Sequence, residues 1–139
     1  MKLSKQDMFC EAQSVSKTVT VVSTNVLDFG AHGDDILFTL FIVILVVTAM
    51  DGDGTFDIVL ESCDDAAFGS GVEDHVLASG LAEADLAAGV FAVKNAPLPK
   101  GLKRYQRLSF EPTLAEGETI TTAPAFTAFL VDGRQEPLE

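Results

Sequence analysis

ILFTLFIVILVVTAM, residues Ile36 to Met50, is the most apolar stretch of the chain, and its reading decides the fold. A membrane-crossing helix needs about 20 apolar residues. This run is shorter, contains Thr39 and Thr48, is bounded by Asp34, Asp35 and Asp51, and has no flanking Lys or Arg to orient it. It also begins too far into the chain for a signal sequence. Ile, Val, Thr and Phe dominate it, and these side chains lose rotamer freedom in a helix but pack well on a pleated sheet. The run therefore predicts a long strand covered on both faces.

Outward from it, Asp51-Gly52-Asp53-Gly54 has turn chemistry. Phe56, Ile58 and Leu60 then alternate with Asp57, Val59 and Glu61, the period of a strand with one face on the core. Residues 36–62 thus read as a β-hairpin. Upstream, Val19 and Val21 alternate with Thr18 and Thr20, which predicts a half-buried strand over Val15–Val22; Val26–Phe29 is a shorter run, and Gly30–Asp35 a loop. Residues 1–14 are weakly patterned and read as a short helix or an N-terminal arm ordered against a partner.

Downstream, Ser62–Gly71 has loop composition with Phe68 as an anchor, and His75–Ser79 is a short candidate strand. Gly80–Gly89 fits a helical turn or a short strand and loop. Gly89–Lys94 alternates as a strand, and Pro97-Leu98-Pro99-Lys100-Gly101 is a rigid turn. Lys103–Glu111 predicts a strand with Leu108 and Phe110 on one face. Pro112–Thr119 is turn-rich, Ile120–Val131 is extended with Pro124 as a break, and residues 133–139 form a tail. Seven or eight strands with little helix predict an all-β fold, a single-domain jelly-roll-like β-sandwich over residues 15–132.

A chain of 139 residues is enough for one domain with its own core. Its formal charge of −12 is repulsive to nucleic-acid phosphates and argues against a nucleic-acid partner. Cys10 and Cys63, the only cysteines, read as free thiols, and no Cys/His cluster has zinc-ligand spacing.

The turn Asp51–Asp57 matches the middle of an EF-hand loop. Aligned on Gly54, however, position one is Ala49 and position twelve is Leu60, where the loop requires a carboxylate and a bidentate Glu. A looser calcium site in the turn keeps one rival class open, a calcium- or carbohydrate-binding β-sandwich module. His32 beside Asp34 and Asp35 lacks a third ligand or a nucleophile. No GxSxG, phosphate loop or HExxH is present. The expectation is no catalytic site, no metal and no cofactor.

Among nine basic residues, Lys94, Lys100, Lys103, Arg104 and Arg107 fall within one short stretch. In so acidic a chain they predict a local positive patch, suited to an acidic partner surface or to balancing acids within the fold.

The ordered string VSTNVLDFG, LESCDDAAFGSG, HVLASG, AAGVFAV, PLPKGLKRYQRLSF and TAFLVDG resembles the capsid cement (decoration) protein family of short-tailed, Bordetella-phage-type bacteriophages, from about Val22 to Asp132. The more specific parts are Asp64-Asp65-Ala66-Ala67-Phe68 and the block from Leu98 to Leu108. The resemblance implies a non-enzymatic jelly-roll-like protein that assembles in the host cytoplasm onto the outer surface of the virion. It would sit there as oligomers and reinforce contacts between major capsid protein subunits. On this reading Lys100, Lys103, Arg104 and Arg107 are the candidate capsid contacts. A homo-oligomer is expected, a dimer before a trimer, with no membrane partner.

Overall fold

The computed structural model describes residues 8–28, 40–98 and 102–132. These form eleven strands: β1 (Met8–Ser14), β2 (Val21–Val22), β3 (Leu27–Asp28), β4 (Leu40–Thr48), β5 (Asp51–Gly52), β6 (Thr55–Cys63), β7 (Glu73–Leu81), β8 (Phe91–Pro97), β9 (Tyr105–Thr113), β10 (Ile120–Thr122) and β11 (Ala125–Asp132). A single 3-10 turn, Glu83–Asp85, is the sole helical element among the described residues, and none of their helices is long and apolar enough to cross a membrane.

Two antiparallel sheets face each other. The first has the order β1-β11-β4-β8; in the second, β2 and β3 pair side by side with β9, followed by β6 and β7. With β2 and β3 counted as one interrupted strand and the small β5–β10 pair set aside, eight strands remain. Their orders, 1-8-3-6 and 2-7-4-5, are those of a jelly roll, in which each sheet interleaves both ends of the chain.

The alternation of the sequence places the core. Ile42, Ile44 and Val46 of β4 and Phe126, Ala128 and Leu130 of β11 meet Phe56, Ile58 and Leu60 of β6 and Leu108 and Phe110 of β9. Leu86, Met50 and Ile120 are buried with them, with the Met50 amide donating to the Leu86 carbonyl at 3.0 Å.

Several expectations are corrected. β4 and β6 do not form a hairpin: β4 pairs with β11 and β8, and β6 with β7 and β9. The intervening Asp51–Gly52 pairs with β10, so the chain crosses between the sheets here. The crossing depends on Gly52, whose φ of 143° sets its backbone where a Cβ would meet the Thr119 carbonyl at 2.5 Å.

Residues 8–14 are not an arm. They form edge strand β1 with Phe9 and Cys10 in the core, and the Gln13 side chain bonds the Val22 carbonyl and the Thr24 amide. Val15–Val22 is strand only at its end, because Ser16 Oγ accepts from the amides of Thr18 and Val19 and holds a turn. Gly80–Gly89 contains the 3-10 turn, where Asp85 Oδ2 accepts the Ala82 amide at 3.1 Å. The long apolar strand is described from Leu40; the loop before it and the tail after Asp132 lie outside the described residues.

Register is unbroken between the central strands of the second sheet, slips once between β4 and β11 of the first, at Ala125/Phe126, and is more irregular at β1, β7 and β8. β6 and β9 pair without a slip from Thr55–Thr113 to Cys63–Tyr105, whereas β1, β7 and β8 each show two register shifts. Bulged edges discourage uncontrolled strand pairing with other chains.

Candidate interaction surfaces

The basic stretch is drawn into the protein's own bonding. Arg104 grips Asp28 with Nε–Oδ1 2.8 Å and Nη2–Oδ2 3.0 Å, and lies 4.9 Å from the Tyr105 ring centroid. The hydrogen bond and charge of Asp28 push the guanidinium pKa further up. Arg107 Nε donates to Glu61 Oε1 at 2.6 Å, with its guanidinium 4.1 Å over the Phe68 ring. Lys103 Nζ donates to the Gly71 carbonyl at 2.5 Å. Lys94 is exposed on β8, in the opposite sheet, and Lys100 lies outside the described residues. Three of the candidate capsid contacts thus sit together, each with a partner from the same chain.

Those partners organise the loop after β6. The Asp65 carboxylate accepts the amides of Ala67 and Gly69, each at 3.1 Å, and Cys63 Sγ accepts the Asp65 amide while donating to the Ser70 carbonyl. Phe68, at a φ of 55°, turns under Arg107. The Asp64–Phe68 run therefore makes a compact knuckle, tied by Lys103 and Arg107 to the start of β9.

At the acidic turn, the Gly52 amide donates to Glu83 Oε1 and the Asp53 amide to the Thr119 carbonyl. Asp57 Oδ1 is engaged on β7, accepting from Ser79 Oγ and the Gly80 amide. Among the described residues no group of three or more His, Cys, Asp or Glu side chains is placed to hold a metal ion. His32 lies outside the described residues.

A different surface stands out on the first sheet. The outward side chains of β4 are Phe41, Val43, Leu45 and Val47, which alternate with the core-facing Ile42, Ile44 and Val46. Beside them β11 presents Thr127, Phe129 and Val131, and Phe91 of β8 stands against Leu45. Val47 is 41 % exposed and Phe91 46 %. Val43 at 6 % and Phe129 at 8 % are buried, so the outer face of the apolar strand is covered at its middle and open towards Val47 and Phe91. None of these outward side chains on β4 and β11 is charged, although the protein carries −12. The sequence supplied the signal in the unbroken apolar run; it did not supply Asp28 or Glu61, which reach their arginines from 76 and 46 residues away.

The chain is an all-β protein whose two antiparallel sheets form a sandwich with jelly-roll strand order. A family model for Bbp16 matches residues 9–130, and the chain belongs to this family of Bordetella phage proteins. No curated protein matches it.

Proposed function

We propose that this chain is a capsid cement protein, a virion structural component that binds the outer surface of an icosahedral phage head and stabilises contacts between major capsid protein subunits. The observation that carries this reading is the outward face of β4 and β11, an apolar surface on a firm sandwich that acts by being covered. Phage-family membership gives the setting. The acidic charge favours the outside of the shell, away from packaged nucleic acid.

The same face accounts for self-association. Two copies approach one another along β4 and β11 without opposing like charges, and a two-fold axis makes one such surface complementary to itself. A homodimer is the preferred assembly, ahead of a trimer. The role requires no catalysis, cofactor, nucleic acid or membrane.

The test is cosedimentation with phage heads stripped of this protein, followed by heat challenge of the heads. Bound protein that raises the temperature of head disruption is the expected result. Failure to sediment with heads at any salt concentration overturns the reading.

A further inference from the structure

Resting on that cement reading, we infer that the outward face of the second sheet is the surface that meets the capsid, and that it takes a basic amphipathic helix of the coat protein. Val22, Ser109, Val59 and Val76 stand opposite one another on β2, β9, β6 and β7 and form one row across the sheet. The middle of the row is already covered by the protein's own atoms, with Ser109 1 % and Val59 5 % exposed, so the apolar contacts it offers are Val22 at 37 % and Val76 at 66 %, one at each end.

Acidic rows flank it on both sides. Asp57 faces Glu111 two residues along the strands in one direction, and Glu61 faces Asp74 and Arg107 two residues along in the other. Four carboxylates against one guanidinium leave this face at −3. The first sheet's outward face has no such walls, so the two faces suit partners of different chemistry.

The dimensions select a helix. Four strands at about 4.8 Å spacing make the row roughly 14 Å long, and two residues along a strand place each acidic row about 7 Å to the side. A helix rising about 1.5 Å per residue covers that length in nine or ten residues and is about 10 Å wide. Its apolar residues would meet Val22 and Val76 at the two ends of the row, with Lys or Arg on both shoulders above the carboxylates. An added strand is disfavoured, because a sheet face offers no backbone hydrogen bonds and the β7 edge is bulged.

The experiment uses the full chain and stripped heads. Val76→Asp puts a charge at the most exposed end of the row, and the double variant Asp74→Lys/Glu111→Lys inverts one acid on each side. Thermal melts first establish that both remain folded. Each is expected to lower apparent head affinity by about tenfold or more, and the double variant to show a flatter salt dependence than wild type. A zero-length carbodiimide cross-linker applied to wild type on heads should join Asp74 or Glu111 to coat lysines and leave Glu116 and Glu118 unjoined. Binding by both variants at the wild-type level, with no cross-link from the second sheet, overturns this assignment while leaving the cement reading standing. Wild type that does not bind heads at all overturns the cement reading itself.

Discussion

Phe110 of β9 and Phe126 of β11 lie parallel across the interior, with ring centroids 4.8 Å apart and planes within 5°. Both are fully buried, and they join the central strands of the two sheets. Truncating either leaves a void at the centre of the core. Phe110→Ala is expected to lower unfolding stability by about 3–5 kcal/mol, read as a shift in the urea midpoint. A loss below about 1 kcal/mol would mean that the sheets do not meet through this pair.

Gly52 provides a backbone test of the crossing between sheets. An added Cβ would lie 2.5 Å from the Thr119 carbonyl oxygen and 2.6 Å from the Ile120 Cα, both backbone atoms, at a φ of 143°. Gly117, at a φ of 84°, has nothing within 4 Å of the same position. Gly52→Ala should therefore destabilise by clearly more than the roughly 1 kcal/mol expected of Gly117→Ala. Equal effects in parallel melts would remove the close β5–β10 contact from the fold.

The neighbouring Asp53 tests the calcium alternative. Its amide, not its carboxylate, holds the turn, by donating to the Thr119 carbonyl. Asp53→Ala is expected to leave the melting temperature unchanged, with or without millimolar calcium. A calcium-dependent rise in wild type that this substitution abolishes would restore the calcium-binding reading.

Strand positions were legible from the sequence wherever the period of two was unbroken. Phe56, Ile58 and Leu60 are in the core, Leu108 and Phe110 share its other wall, and Pro124 separates β10 from β11. Strand β1 was illegible because its register slips between Met8 and Cys10 and again before Gln13, which erases the alternation. Pairing was also hidden. Asp51–Gly52 suits a hairpin and a crossing equally well, and the choice is made by Ile120 and Thr122 far along the chain. The apolar face was legible in part, since the run from Ile36 to Met50 showed an apolar outer side but not that Val43 is buried while Val47 is open.

Cys10 gives a pH prediction. Burial raises its thiol pKa from 9.0 to about 11, partly offset by a backbone hydrogen bond from Ala128. The folded state thus keeps its proton where the unfolded state loses it. This stabilisation is complete below about pH 9 and is lost as pH rises towards 11. The loss is on the order of 3 kcal/mol at about 1.4 kcal/mol per unit. Cys10→Ala lowers stability at neutral pH by lost packing, yet should fall less steeply across this window than wild type. Parallel slopes in urea titrations of the two proteins would place the thiol in a solvated site.

The basic cluster yields the last prediction, which departs from the behaviour of a free positive patch. Were Lys103, Arg104 and Arg107 exposed and unpaired, reversing them to Glu would leave stability nearly unchanged. Instead, Arg107→Glu opposes Glu61 at a pair whose side chains are only 23 % and 16 % exposed, and withdraws the cation from the Phe68 ring. Lys103→Glu releases the Gly71 carbonyl and with it the end of the knuckle. Arg104 and Asp28 are far more exposed, at 50 % and 44 %, so Arg104→Glu should matter least. The expected order of destabilisation is Arg107→Glu, then Lys103→Glu, then Arg104→Glu, with Arg107→Glu on the order of 2–3 kcal/mol. Lys94→Glu, on the opposite sheet, is the control for a general charge effect. Limited proteolysis should show earlier cleavage between Asp64 and Gly71 in the Arg107 and Lys103 variants than in the Arg104 variant. If all three variants melt with wild type and resist cleavage equally, the cluster is not structural, and loss of head binding by the same variants would then assign it to the coat contact.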